Sequence, residues 1–138
     1  MSPLSAKDNV EKIFKSLEDL KERNRSVPIV VEGKNDVIAL RKLNFEGEIF
    51  PLHSRMTIEG FCRNLSKGHK EVILLLDWDS KGKRLTSSLI RHLNSYEVKT
   101  DYDFWKLCFS MVSQMSNVES LPSAFYRLTS GNGSSQHT

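Results

Sequence analysis

The residues of this chain best suited to chemistry are Asp77 and Asp79, which flank Trp78 and are followed by Ser80, Lys81, Gly82, Lys83 and Arg84. On extended backbone, residues i and i+2 point to the same side, so the two carboxylates project together. Anions held that close repel each other unless a cation sits between them. A hard, oxygen-preferring ion such as Mg²⁺, or Mn²⁺ in its place, is the usual solution. Lys81, Lys83 and Arg84 add positive charge around the Gly82 turn, which suits an anionic substrate. The pattern also has a plainer use, because aspartate is a frequent turn former and helix N-cap.

The element that must present these acids is the apolar run Val72 to Leu76. It is too short to span a membrane and reads as a strand buried on both faces, as in a parallel sheet covered by helices. The acids then fall at its carboxyl end, where open α/β sheets bind ligands. A second β-branched strand, Val27 to Val31, ends in Glu32. Gly33 turns the chain there into a helix with Val37, Leu40 and Leu43 on one face. If the two strands are neighbours, Glu32, Asp77 and Asp79 converge on one edge. Backbone N–H groups after Gly33, together with Lys34, make a seat for a phosphate at a helix amino terminus. Asn35 or Asp36 can instead cap that helix, and capping is the preferred role for Asp36.

Glu32-Gly33-Lys34-Asn35-Asp36 and Asp77-Trp78-Asp79-Ser80-Lys81-Gly82 resemble the signatures of the Toprim domain, in order and in strand context. Those signatures are a glutamate after the first strand, in a Glu-Gly-Lys-x-Asp setting, and an Asp-x-Asp-x-x-Gly after the third. The resemblance runs from Val27 to Leu128. It includes Asp101-x-Asp-Phe-Trp and Val118-Glu-Ser-Leu-Pro122, which look like stretches of short stand-alone archaeal Toprim proteins. It implies Mg²⁺-dependent phosphoryl or phosphodiester transfer on nucleic acid, RNA or DNA, as in a small nuclease. Asp77 and Asp79 would hold the metal with Glu32 beside them, and Glu32 would be the general acid or base. Gly33, Lys34, Lys81, Lys83 and Arg84 would face phosphates, with Arg55 after the second strand.

At 138 residues the chain leaves no room for a topoisomerase's tyrosine-bearing domains, a primase's zinc and helicase-binding domains, or a maturase's RNA-binding domain. A small nuclease or a subunit of a larger assembly stays open. So does a non-catalytic RNA- or DNA-binding scaffold that keeps the acids as a structural metal site. An aspartate-nucleophile phosphatase fits less well, because its motif belongs on the first strand with Thr or Val where this chain has Lys81. A receiver-like signalling domain would need an acidic pair on the first strand, where only Glu32 stands.

The rest of the chain supplies cover. Val10, Ile13, Phe14, Leu17 and Leu20 make residues 1–26 an amphipathic helix, with Ser5 and Asp8 at its amino end. Ile49 to Leu52 reads as a further strand, followed by His53 and Arg55, and Ile58, Phe61 and Leu65 mark a helix closing at Gly68. Leu85, Leu89, Ile90 and Leu93 mark another, and Val98 begins an edge strand ending near Asp101. Asp103 to Met115 is a core-packing helix, and Asn117 to Leu128 a shorter one interrupted by Pro122. Residues 27–128 thus form the Toprim-like domain. The Gly/Ser-rich residues 129–138 form a disordered tail. The expected fold is a compact, Rossmann-like α/β domain, with a mostly parallel sheet of about four strands and helices on both faces.

A hydrophobic share of 38% is enough for one core, and a formal charge of +3 with pI near 8.9 permits a nucleic-acid partner without demanding one. Cys62 and Cys108 lie in helix-like patterns, which argues against a disulfide framework or a zinc site and suits a reducing cytosol. The apolar runs are too short for a membrane segment, and no signal peptide is visible, so a cytoplasmic protein is expected.

Overall fold

Successive residues of one strand divide the core between two faces. In the computed structural model, which describes residues 6–52, 55–111, 118–123 and 126, Ile73 and Leu75 pack on one side of the sheet, with Val72, Leu74 and Leu76 on the other. All five are buried. The alternation follows from the period of two along a strand, and burial of both sets explains the unbroken apolar run.

The elements run α1 (Ala6–Asn24), β1 (Ile29–Val31), α2 (Lys34–Lys42), β2 (Ile49–Pro51), α3 (Ile58–Ser66), β3 (Glu71–Leu74), α4 (Ser80–Ser95), β4 (Lys99–Asp101) and α5 (Asp103–Met111). A short 3-10 turn, Val118–Ser120, follows. The four strands are all parallel, in the order β2-β1-β3-β4. From β1 the chain steps outward to β2, then crosses back over β1 to β3 and continues to β4. Right-handed crossovers therefore place α2 on one face and α3 and α4 on the other. The packing agrees. Leu40 of α2 and Leu43, its C-cap, join Ile13, Leu17 and Leu20 of α1 and Phe104, Trp105 and Cys108 of α5 on the Ile73 side. Phe61, Cys62 and Leu65 of α3 and Leu89 and Leu93 of α4 cover the Leu74 side.

One device ends both α2 and α4. Asn44 and Glu97 adopt left-handed backbone, with φ of 67° and 60°. Beyond them the Phe45 N–H donates to the Leu40 carbonyl at 3.1 Å and the Val98 N–H to that of Leu93 at 2.9 Å. This is the Schellman arrangement, and the residue after each left-handed position is buried beside the helix it closes. Each time it turns the chain back toward the sheet.

The carboxyl end of α1 is fastened to the strands. The buried Asn24 side chain donates to the carbonyls of Val27 and Glu48 and accepts from the Gly47 N–H. Gly47 must lack a side chain, since a Cβ there would stand 1.8 Å from the Asn24 carbonyl oxygen. Arg23 bridges Glu71, which opens β3, and Asp101, which closes β4.

The strands are shorter than the apolar runs that foretold them. Val27 and Pro28 lead into β1, and Leu75 and Leu76 extend past β3 still buried, with the Leu75 N–H donating to the Val30 carbonyl of β1 at 2.9 Å while β4 has already ended at Asp101 opposite Ile73. Residues 112–115 of the helix expected to reach Met115, part of the one expected over 117–128, the tail 129–138, Ser5 and His53 lie outside the described residues. No helix among the described residues is long and apolar enough to cross a membrane. Cys62 and Cys108 are free and buried. Burial pushes their thiols up to about 11 and about 12.

Candidate functional site

The strand order creates the site before any side chain is considered. Because β1 leads into a helix on one face and β3 into a helix on the other, a crevice opens between the carboxyl ends of these adjacent strands. Glu32 and Asp77 stand at its two sides. The Asp77 N–H donates to Glu32 Oε1 at 3.2 Å. Only 15% of the Glu32 side chain is exposed, and its other oxygen lies 3.8 Å from the Lys81 ammonium.

Asp79 is the N-cap of α4, and its Oδ1 accepts the Gly82 N–H at 2.7 Å. Its capping role is therefore real, and its second oxygen remains for other partners. Trp78 between the acids is buried while Asp79 is exposed, as alternation on extended backbone requires. Gly82 lies so close to the preceding turn that a Cβ would stand 1.7 Å from the Asp77 carbonyl oxygen.

Asp77 is tied from three further directions. Its Oδ1 accepts the Val118 N–H at 2.9 Å, its carbonyl accepts the Trp105 indole N–H at 3.1 Å, and Gly82 abuts that same carbonyl. Burial, opposed by the Val118 N–H and reinforced by Glu32, Asp79 and Glu119, pushes its carboxyl up to about 6. Glu32 is also raised, first by burial and then by Asp79 and Asp36, against the Asp77 N–H and Lys81. Burial is thus a larger cause than the neighbouring carboxylates. Asp36 behaves alike: burial raises it, Asp77 and Glu119 add to the rise, and the Gly33 N–H opposes it.

Asp36 thus combines two roles. Its Oδ2 accepts the Gly33 N–H at 2.9 Å, the helix-capping contact expected of it, yet the side chain is buried within electrostatic reach of Asp77. The same bond occupies the N–H of Gly33. The first-turn N–H groups of Lys34 and Asn35 still lack an intrahelical acceptor, as at any helix start.

The expected cations are spread more widely than the acids. Lys81 approaches Glu32, and the Lys83 ammonium sits 5.6 Å from the centre of the Phe109 ring. Lys34, Arg55 and Arg84 are exposed, and no ion pair to the acids is seen for them among the described residues. Asp36, Trp105, Val118 and Glu119 are the additions that spacing alone did not single out as parts of the site. Trp105 and the Val118-Glu119 pair do fall in the two later stretches that resemble archaeal Toprim proteins.

The donor set is oxygen only, and its members raise one another's proton affinity, which is the chemistry that a hard divalent cation relieves. No three His, Cys, Asp or Glu side chains among the described residues already stand in a ligating cluster. Mg²⁺ does not require one, because it is commonly held through one or two carboxylates and its own waters.

Comparison with known proteins bears on the same segment. The profile described as "Toprim domain" matches residues 26–102. A UPF0292 protein of Thermoplasma volcanium is 38% identical over 105 residues, covering 76% of this chain and 87% of that protein. A UPF0292 protein of Thermococcus kodakarensis is 31% identical over 124 residues, covering 89% and 90%. A solved structure, a putative protein from Aquifex aeolicus, superposes with a TM-score of 0.66 at 28% identity, covering 75% of this chain and 93% of that one. The sheet, the crevice and these matches agree: the chain belongs to the Toprim domain family, whose members carry out metal-dependent work on nucleic acid, and is similar to its small archaeal representatives.

Proposed function

We propose that this protein catalyses Mg²⁺-dependent phosphodiester transfer on nucleic acid, in the manner of a small nuclease. The observation that supports it most is the pairing of Glu32 with the Asp77 backbone across the β1–β3 crevice, with Asp79 at the start of α4. Asp77 and Asp79 would hold the ion, and Glu32 would flank it. Bound there, Mg²⁺ neutralises charge on a phosphate and orients it.

The remaining work falls to the chain's own groups. Glu32 is the general acid or base, since its largely enclosed position and proton affinity raised by burial suit a group that takes up and gives back a proton. Lys81 lies close enough to Glu32 to hold its charge when no substrate is bound, and it turns to a phosphate when one is. Lys34, Arg55, Lys83 and Arg84 attract the backbone of the strand, each weakly and in a salt-sensitive way. The N–H groups after Gly33 offer a further seat for a phosphate.

The test is to incubate purified protein with labelled single- and double-stranded RNA and DNA, in Mg²⁺, Mn²⁺ or EDTA. Strand cleavage or transfer that needs the metal and disappears in Glu32→Gln is the expected result. Metal-dependent binding of these substrates without turnover would replace the enzyme by a scaffold.

A further inference from the structure

Phe109 is an exposed aromatic residue with an unusual set of neighbours. Its side chain is 43% exposed, although Phe104, Trp105 and Cys108 on the same helix are buried. Single exposed apolar residues are ordinary and call for no explanation. What sets Phe109 apart is that its ring is held on two sides and lies next to the crevice. Trp105, one turn earlier, stacks on it with ring centres 5.2 Å apart and planes 34° apart. The same indole donates to the Asp77 carbonyl. Lys83, from the first turn of α4, places its ammonium 5.6 Å from the ring centre. Gly82, beside Lys83, is packed against that same Asp77 carbonyl. A solvent-facing aromatic ring, braced by Trp105 and with the Lys83 ammonium over it, therefore sits a short step from the acids, and a base that stacks there displaces the ammonium toward its phosphate.

Resting on the nucleic-acid reading above, we infer that Phe109 is a stacking platform for one unpaired nucleobase, with Lys83 on the adjacent phosphate. Every base has a π face, so such a platform takes any base and rejects paired ones, whose faces are already covered within the duplex. Trp105 stiffens the platform from behind and links it to Asp77, so a stacked base brings its own phosphate toward the crevice. The substrate class selected is single-stranded nucleic acid, or a single-stranded stretch within a folded one. Removal of a stacking ring usually weakens binding of an unpaired strand by about ten- to a hundredfold.

The experiment compares fluorescence anisotropy titrations of three labelled probes: a mixed-sequence single strand, an abasic strand of the same length and charge, and a blunt duplex. Wild type, Phe109→Ala, Phe109→Leu and Phe109→Trp are measured in EDTA, where no strand is cleaved, after thermal melts show which variants are folded. Wild type should bind the base-bearing strand at least tenfold more tightly than the abasic one. Phe109→Ala and Phe109→Leu should erase that preference and leave duplex and abasic binding in place, while Phe109→Trp restores it. Leu keeps apolar bulk, so it separates loss of stacking from loss of packing. Equal losses on all three probes, no loss on any, or a change of oligomeric state in Phe109→Leu overturns the platform and leaves the proposed activity standing. Failure of wild type to bind any probe in EDTA overturns the platform, and failure to bind or cleave any of them in Mg²⁺ as well removes the proposed activity.

Discussion

Glu32 accepts a hydrogen bond from the backbone of Asp77, 45 residues further along the chain, rather than from a side chain. The glutamate therefore serves as an acceptor for the fold and as a charge for the site, and substitution can separate the two. Glu32→Gln keeps a carbonyl oxygen for the Asp77 N–H, so its melting temperature in EDTA should equal or slightly exceed that of wild type. Glu32→Ala leaves that N–H without its acceptor and should cost about 1–2 kcal/mol. Both should lose turnover. Thermal melts alongside the cleavage assay check this, and equal melting of Gln and Ala variants would show that the bond contributes nothing.

The pH response of Asp77 has a definite sign. Its folded carboxyl is raised to about 6 from an ordinary 3.8, so the folded protein binds the proton more tightly than the unfolded chain does. Stability contributed by that proton is complete below about pH 4 and is lost as pH rises through about 6, on the order of 3 kcal/mol. Asp77→Asn is neutral throughout and keeps Oδ1 for Val118. In EDTA its stability advantage over wild type should grow between about pH 4 and about pH 7. Mg²⁺ at neutral pH should stabilise wild type and leave the variant unchanged. Urea denaturation at several pH values, with and without metal, measures both effects.

Gly82→Ala should be among the most damaging single-methyl additions in the protein, because the new carbon would meet the Asp77 carbonyl oxygen, a backbone atom that cannot swing aside. A loss of about 3 kcal/mol is expected. Any Mg²⁺-dependent rise in melting temperature should fall with it, since Asp77 must shift. Gly68→Ala, where a Cβ meets nothing within 4 Å, is the matching control and should be close to neutral.

Glu97 occupies left-handed backbone at the end of α4 without the freedom of glycine. Glu97→Gly should stabilise the protein by about 1 kcal/mol. Asn44→Gly, at the equivalent position after α2, should gain less, because asparagine tolerates that conformation better. Denaturant midpoints at unchanged slope would settle the comparison.

The parts of the fold legible in the sequence were those with local signals. Val72 to Leu76 announced a doubly covered strand, and the two acid-after-strand motifs announced a shared edge. The adjacency of β1 and β3 turned that expectation into a geometry. Less legible were bonds between segments far apart in sequence. Nothing in the spacing around Asp101 foretold Arg23 as its partner, 78 residues away. Nothing around Asp77 foretold the Val118 N–H, 41 residues beyond it. Asp36 read correctly as a helix cap, but its burial beside Asp77 depends on how two helix starts meet across the crevice, which no single stretch encodes.

The four ties on Asp77 also fix a schedule for the emerging chain. Glu32, β1 and β2 are made before Asp77 itself, yet the bonds from Trp105 and Val118 arrive only near the end of the described residues. A nascent polypeptide that has released β4 already possesses the whole sheet but lacks the two donors that hold Asp77 in place. Scaffold and site are therefore completed at different moments of synthesis. The acidic edge takes its final form after the sheet that carries it.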